Sequence, residues 1–120
     1  MSNAGTDIVI GHGTHMIQDI QKIDQTTVAY SIGNGVFNSN GEYNKRFVPA
    51  YSMIAQLIIS KNNELKLRFY PIYGNNLDTF WKPRFVTNEE FEHCRLMLKA
   101  RNTISMETGK DEHYYFEHKL

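Results

Sequence analysis

Hydrophobic and polar positions along the chain sort into strands, one long helix and several loops. Residues 7–11 (DIVIG) are a short apolar run closed by glycine, which predicts a strand delivering the next residues to the carboxyl end of a sheet, where α/β proteins place ligands. Thr14 stands where it could cap a short helical turn through Met16, Ile17 and Gln18. Residues 19–24 (DIQKID) alternate poorly and predict only a weak strand. The β-branched and aromatic run TTVAYSI, 26–32, predicts a strand that also ends in glycine, at Gly33-Asn34-Gly35. Residues 38–47 (NSNGEYNKRF) gather Asn, Ser, Gly and charge without a period and read as loop.

The second half has stronger patterns. AYSMIAQLIIS (50–60) and ELKLRFYPIYG (64–74) flank KNN, which predicts an antiparallel hairpin. Leu65, Leu67 and Phe69 alternate with Lys66, Arg68 and Tyr70, the pattern of a half-buried strand with one wet face. Pro71 predicts that this strand leaves the sheet, or runs along its edge, from that point. Residues 75–86 are irregular. Thr87 followed by Glu90 is a capping-box pattern. Acidic residues early and Arg95, Lys99 and Arg101 late complement the helix dipole, so 88–102 is predicted as helix. The tail, 103–120, has no clear period; HYYFEH reads as a short strand or a docked tail.

Composition narrows the class. A chain of 120 residues is one small domain or a piece of a larger one. With 41% hydrophobic and 22% charged residues it can bury a core. Seven Tyr, seven Phe and one Trp lean it toward sheet. Lys plus Arg and Asp plus Glu are 13 each, and a net charge of zero gives no electrostatic footprint for nucleic acid or an anionic membrane. One cysteine, Cys94, excludes an internal disulfide framework and a cysteine-rich zinc site. No window approaches the ~20 apolar residues of a membrane-spanning helix, and no signal peptide is visible. MSNAGTD enters a strand almost at once, so Ser2-Asn3-Ala4 reads as a cloning scar or the end of a helix whose earlier turns are missing, and the chain as truncated at its N-terminus.

His12 and His15, three apart on a glycine-bearing loop after a strand, can point into one metal site, because glycine lets backbone come close to an ion. The same spacing also fits an ordinary turn with two imidazoles. Asn34, at the end of the second glycine-closed strand, could donate to an oxyanion or orient a histidine; it also fits a turn, because Asn tolerates left-handed geometry. Tyr30 and Ser31 read as sheet residues, and nothing specifies a base for a serine nucleophile. His93, His113 and His118 read as solvated or packing residues. Tyr73, Trp81, Lys82 and Arg84 could form a basic-aromatic patch for a sugar or anionic polymer, against a loop simply packed by Phe80 and Trp81.

DIVIGHGTHMIQDI followed by VAYSIGNGVFNS resembles the C-terminal signature of the CapA family, the PgsA-type capsule and poly-γ-glutamate synthesis proteins: a G-H-x-x-H-x-x-Q element and then Y-S-x-G-N. PAYSMIAQL, LRFYPIYGNN and KPRFVTNEEF resemble the branch in which the CapA-like domain can be joined to ligase-type domains similar to Mur ligases or ATP-grasp enzymes. The resemblance implies an α/β fold, here an α+β-like fragment: the C-terminal portion of a calcineurin-like metallophosphoesterase sheet sandwich, with a mixed or antiparallel sheet and a C-terminal helix over residues 1–102, then a tail over 103–120. It implies His12 and His15 as metal ligands, with Gln18, Ser31 and Asn34 as the residues that orient ligands or touch substrate. The spacing is G-H-x-x-H where phosphoesterases at large have G-H-x-H. Gly13 stands where the commoner CapA form has a second histidine, and Gly35 where Phe is frequent.

The superfamily's metal-binding aspartates and its Asn-His element precede the matching segment and are expected in a missing N-terminal part of the same domain. Asp7, in the strand leading to the motif, is assigned a structural role. Divalent metal ions are therefore expected in the full-length protein and none held tightly by this chain, which should have no catalytic residue or activity of its own. Expected partners are that missing part, a ligase-type domain, an anionic polymer or phosphate-containing substrate, and a second copy of the chain through exposed strand edges; nucleic acid is not expected. The setting implied is bacterial, with cell envelope and cytoplasm both open.

Overall fold

The protein is described from a computed structural model covering residues 4–36, 38–101 and 104–120. Ser2, Asn3, Phe37 and the predicted last helical residue, Asn102, lie outside the described residues. The architecture is α+β, with mixed and antiparallel sheets and few helices. A three-stranded sheet has the order β1-β3-β2, from β1 (Ile8–Ile10), β2 (Ile20–Ile23) and β3 (Thr26–Ala29). β1 runs parallel to β3 and β2 antiparallel to it. Helix α1 (Glu42–Lys45) follows, and then a larger sheet of order β4-β5-β8-β7. Its strands are β4 (Tyr51–Ile59), β5 (Leu65–Tyr73), β7 (Glu107–Lys110) and β8 (Tyr114–Lys119). Between β5 and β7 come α2 (Asn76–Thr79), the short β6 (Arg84–Phe85), which pairs with the end of β5, and α3 (Asn88–Arg101).

The hairpin over KNN forms as its pattern predicts. Ser60 closes it: its N–H donates to Glu64 O (2.9 Å), and its Oγ accepts from the N–H groups of Asn62 and Glu64. Pro71 does not end β5 or push it to an edge, since the pairing with β4 runs on through Met53↔Pro71 to Tyr51↔Tyr73. The reason is parity. Even-numbered residues bond across this hairpin, as Ser60 to Glu64 and Gly74 to Ala50 show, so the ring of Pro71 takes a place where β4 needs no donor. On its other side the pairing with β8 ends at Phe69↔Phe116, and Pro71 serves only as an acceptor, from Val86 N–H at 3.4 Å.

Helix α3 covers one face of the large sheet. Phe91, Cys94 and Leu98 recur at helical spacing, are buried, and meet Leu67, Phe69 and Phe116 from β5 and β8. Phe91 stacks on Phe116 with ring centroids 4.7 Å apart. The capping box at its start is made: Thr87 N–H donates to Glu90 Oε1 (2.9 Å) and Glu90 N–H to Thr87 Oγ1 (3.3 Å). The tail without a period is a hairpin, and β8 lies inside the sheet between β5 and β7. The core is shared by both sheets. Ile17, Ile20 and Ala29 join the cluster of Tyr51 and Met53, and Met53 N–H donates to Ile32 O (2.7 Å).

Other expectations are revised. No helical turn follows Thr14, whose hydroxyl donates to Met16 O while Ile17 bridges to Ile32 in extended form. The predicted loop 38–47 contains α1, and irregular 75–86 contains α2 and β6. Regular pairing in β3 stops at Ala29, three residues before the predicted end, but the chain stays tied to the 17–19 segment through Tyr30, Ser31 and Ile32.

Candidate functional site

Two glycine-ended strands set up the site. Because β1 and β3 are parallel, the loops that leave them emerge on the same side of the small sheet. The pair stays together beyond Ile10: Gly11 N–H donates to Ala29 O (2.8 Å) and Ile32 N–H to Gly11 O (3.0 Å). Glycine is required there, since a Cβ at position 11 would lie 2.3 Å from the carbonyl oxygen of Tyr30. Gly33 opens the second loop at φ +77°, a left-handed value, and a Cβ there would lie 2.6 Å from Ser52 Oγ. That same oxygen accepts the Asn34 N–H at 2.8 Å, so buried Ser52 of β4 holds the Gly-Asn turn in place.

The two loops meet through side chains. Asn34 Oδ1 lies 3.1 Å from His15 Nδ1. An amide oxygen only accepts, so the Asn34 contact calls for an N–H at His15 Nδ1, and in the neutral tautomer of that kind Nε2 is the nitrogen able to ligate a metal. The amide nitrogen of Asn34 donates to the Tyr43 hydroxyl (3.0 Å) and, at 3.4 Å, to the carbonyl of His15. Tyr43, buried on α1, donates its own hydroxyl to that carbonyl at 2.8 Å. Each donor in the closed set meets an acceptor, which fixes the orientation of the Asn34 amide. His15 itself sits at φ +66°, uncommon for a residue with a side chain.

His12 is exposed on the same loop. Gln18 is half-buried, and its backbone N–H donates to the carbonyl of Ser31 (2.9 Å). Ser31 is buried, and its Oγ accepts Gly33 N–H at 3.2 Å, so it supports the turn that carries Asn34 and its hydroxyl lies within the fold. Among the described residues, no three His, Cys, Asp or Glu side chains come together as a metal site. Two imidazoles on one loop fall short of the three protein ligands of a catalytic zinc site.

A cleft of about 380 Å³ opens beside His15, lined in part by Asn38, Ser39, Asn40, Glu42, Tyr43 and Arg46. Sequence reasoning missed Tyr43 and the amides that brace this cleft. Asn76 accepts from both the N–H and the hydroxyl of Ser39 and donates to Asn38, while Asn75 caps α2 and donates to Asn44. The signal was the density of Asn and Ser in NSN, EYN and GNN, with Tyr43 set among polar neighbours; buried amides in loops need each other as partners.

The basic-aromatic patch is differently built. Arg84 is engaged, bidentate to Glu90 (2.7 and 3.0 Å) and 4.8 Å over the Tyr73 ring. Phe80 and Trp81 do not pack their loop: both have positive φ and stay 80% and 50% exposed. His93 lies edge-on to Tyr51, whose phenol burial pushes up to about 12. His113 stacks on Phe85 at 3.5 Å.

Residues 1–39, which carry both loops apart from Tyr43, match the family model described as the bacterial capsule synthesis protein PGA_cap. The chain is also 32% identical over 72 residues to the PGA biosynthesis protein CapA of Bacillus subtilis (strain 168). That match covers 60% of this chain and 18% of the relative, so the chain spans under a fifth of the curated protein's length. Both similarities are to capsule or PGA synthesis proteins. No helix among the described residues is long and apolar enough to cross a membrane, which says nothing of β-barrels.

Proposed function

We propose that this chain is the late ligand-bearing segment of a CapA-type protein, of the calcineurin-like metallophosphoesterase kind, that acts in capsule or poly-γ-glutamate synthesis. The observation that carries the reading is the His15–Asn34–Tyr43 set: the histidine of the first loop is oriented by the asparagine of the second, as expected of a metal ligand and its hydrogen-bonded partner. His15 and His12 supply imidazoles to a divalent metal site whose carboxylates come from elsewhere in the longer protein. Such a site, with His12 and His15 among the residues that would hold the ion, would supply Lewis-acid polarisation of a phosphoryl or carbonyl oxygen. The chain's own residues orient one ligand, hold the Gly-Asn turn, and offer the cleft beside His15, with Asn38, Asn40 and Arg46 in its lining, to an anionic polymer or phosphate-containing substrate.

The test is metal analysis of the longer protein that contains this segment. His15→Ala and His12→Ala should each lower bound metal, and Asn34→Ala should weaken it by about 10-fold, the usual scale for losing the partner that orients a ligand. Unchanged metal content in both histidine variants removes the assignment.

A further inference from the structure

We propose that the outer edge of β4 is a self-association surface that pairs antiparallel with β4 of a second copy around a two-fold axis at Leu57. The parity that accommodates Pro71 settles which backbone groups are available. Even residues of β4 bond to β5, so odd residues point their N–H and C=O groups the other way. Met53 uses its N–H on Ile32. Beyond it, β4 is the terminal strand of the sheet, and among the described residues no strand pairs with Ala55, Leu57 and Ile59 on that side.

Those three positions are symmetric about Leu57. Set against a second copy, Leu57 exchanges both bonds with its own counterpart, and Ala55 and Ile59 exchange theirs with Ile59 and Ala55 opposite, giving six backbone hydrogen bonds. Side chains agree with this symmetry. Residues 51–59, YSMIAQLII, carry no charge, so two copies meet without like-charge repulsion. Leu57 and Ile59 are 47% and 63% exposed and fall beside apolar counterparts, Leu57 and Ala55. The strand has none of the usual guards of an edge: no lysine, no proline, and an unbroken register over nine residues.

The experiment is sedimentation velocity on the 120-residue chain over a wide concentration range, with cysteine cross-linking to read the register. The wild type should dimerise reversibly. Leu57→Pro should be monomeric with an unchanged circular dichroism spectrum, because the lost N–H bonds to nothing within the chain. Leu57→Cys should form a covalent dimer on mild oxidation, as paired Cα atoms there stand about 5.5 Å apart. Ile59→Cys should not, because the register separates the two copies of that residue by about 13 Å. Native Cys94 is buried and does not compete. A wild type monomeric at every concentration overturns the proposal. So does failure of Leu57→Cys to cross-link, cross-linking of Ile59→Cys in its place, or a folded Leu57→Pro that still dimerises. The cross-links keep the test decisive if Leu57→Pro fails to fold.

Discussion

Gly33 concentrates two requirements in one residue. Its backbone is left-handed, and the space a side chain would take is filled by Ser52, itself committed to Asn34. Gly33→Ala should therefore cost roughly 1–3 kcal/mol, through backbone strain and a displaced buried hydroxyl, and read as a lowered Tm. Asn34 should lose its hold on His15 in the same variant. Cys94 makes the opposite case, a chemically capable group put out of use. Burial, seconded by the charge of Glu90, pushes its thiol up to about 12. Native protein should resist alkylation by iodoacetamide near neutral pH and react once unfolded, as mass spectrometry would show. A thiol raised in the folded state gives stability that is whole below the ordinary thiol range and shrinks as pH climbs from about 9 toward 12. At this scale His15 and Asn34, which meet across the two loops, stood out in the chain. Tyr43 and Ser52 did not, because their part depends on which loops the fold brings side by side.

The helix cap is the element most plainly written in the chain. Thr87 and Glu90 serve each other's backbone, and Glu90 also grips Arg84. The Arg84 guanidinium, ahead of the Thr87 bonds, holds the Glu90 carboxyl below the usual carboxylate range in spite of desolvation. A depressed carboxyl stabilises the fold above its unfolded pKa and stops doing so as pH falls through the folded one, so α3 should loosen only in acid. Thr87→Ala should cost about 1 kcal/mol in thermal or urea unfolding at neutral pH. Elements with a period or a cap were legible: the hairpin, α3, β1 and β3. The four-residue helices α1 and α2 were not, since one turn has no period to display; they exist because Asn75, Asn76 and Ser39 hold them together. Pro71 misled for a physical reason, because a proline's harm to a sheet depends on the side its missing N–H faces, which is known only when the register is.

For the whole molecule, the three-stranded sheet presents the loops of His15 and Asn34, and the larger sheet supplies Ser52 from beneath and the covered core behind. The arrangement is a sheet floor, two loops above it, and an open strand edge to one side. The place of β8 has a consequence for how this arrangement comes into being. The β4–β5 hairpin is local and can zip up within microseconds, whereas Arg68 must wait for Glu117, 49 positions along the chain. Until β8 arrives, β5 is bare on one side while β4 is bare on the other, and the young hairpin can stack onto its neighbours from both directions. Refolding yield should therefore depend on dilution, and a chaperone that shields a two-sided ribbon would be of most use during that interval.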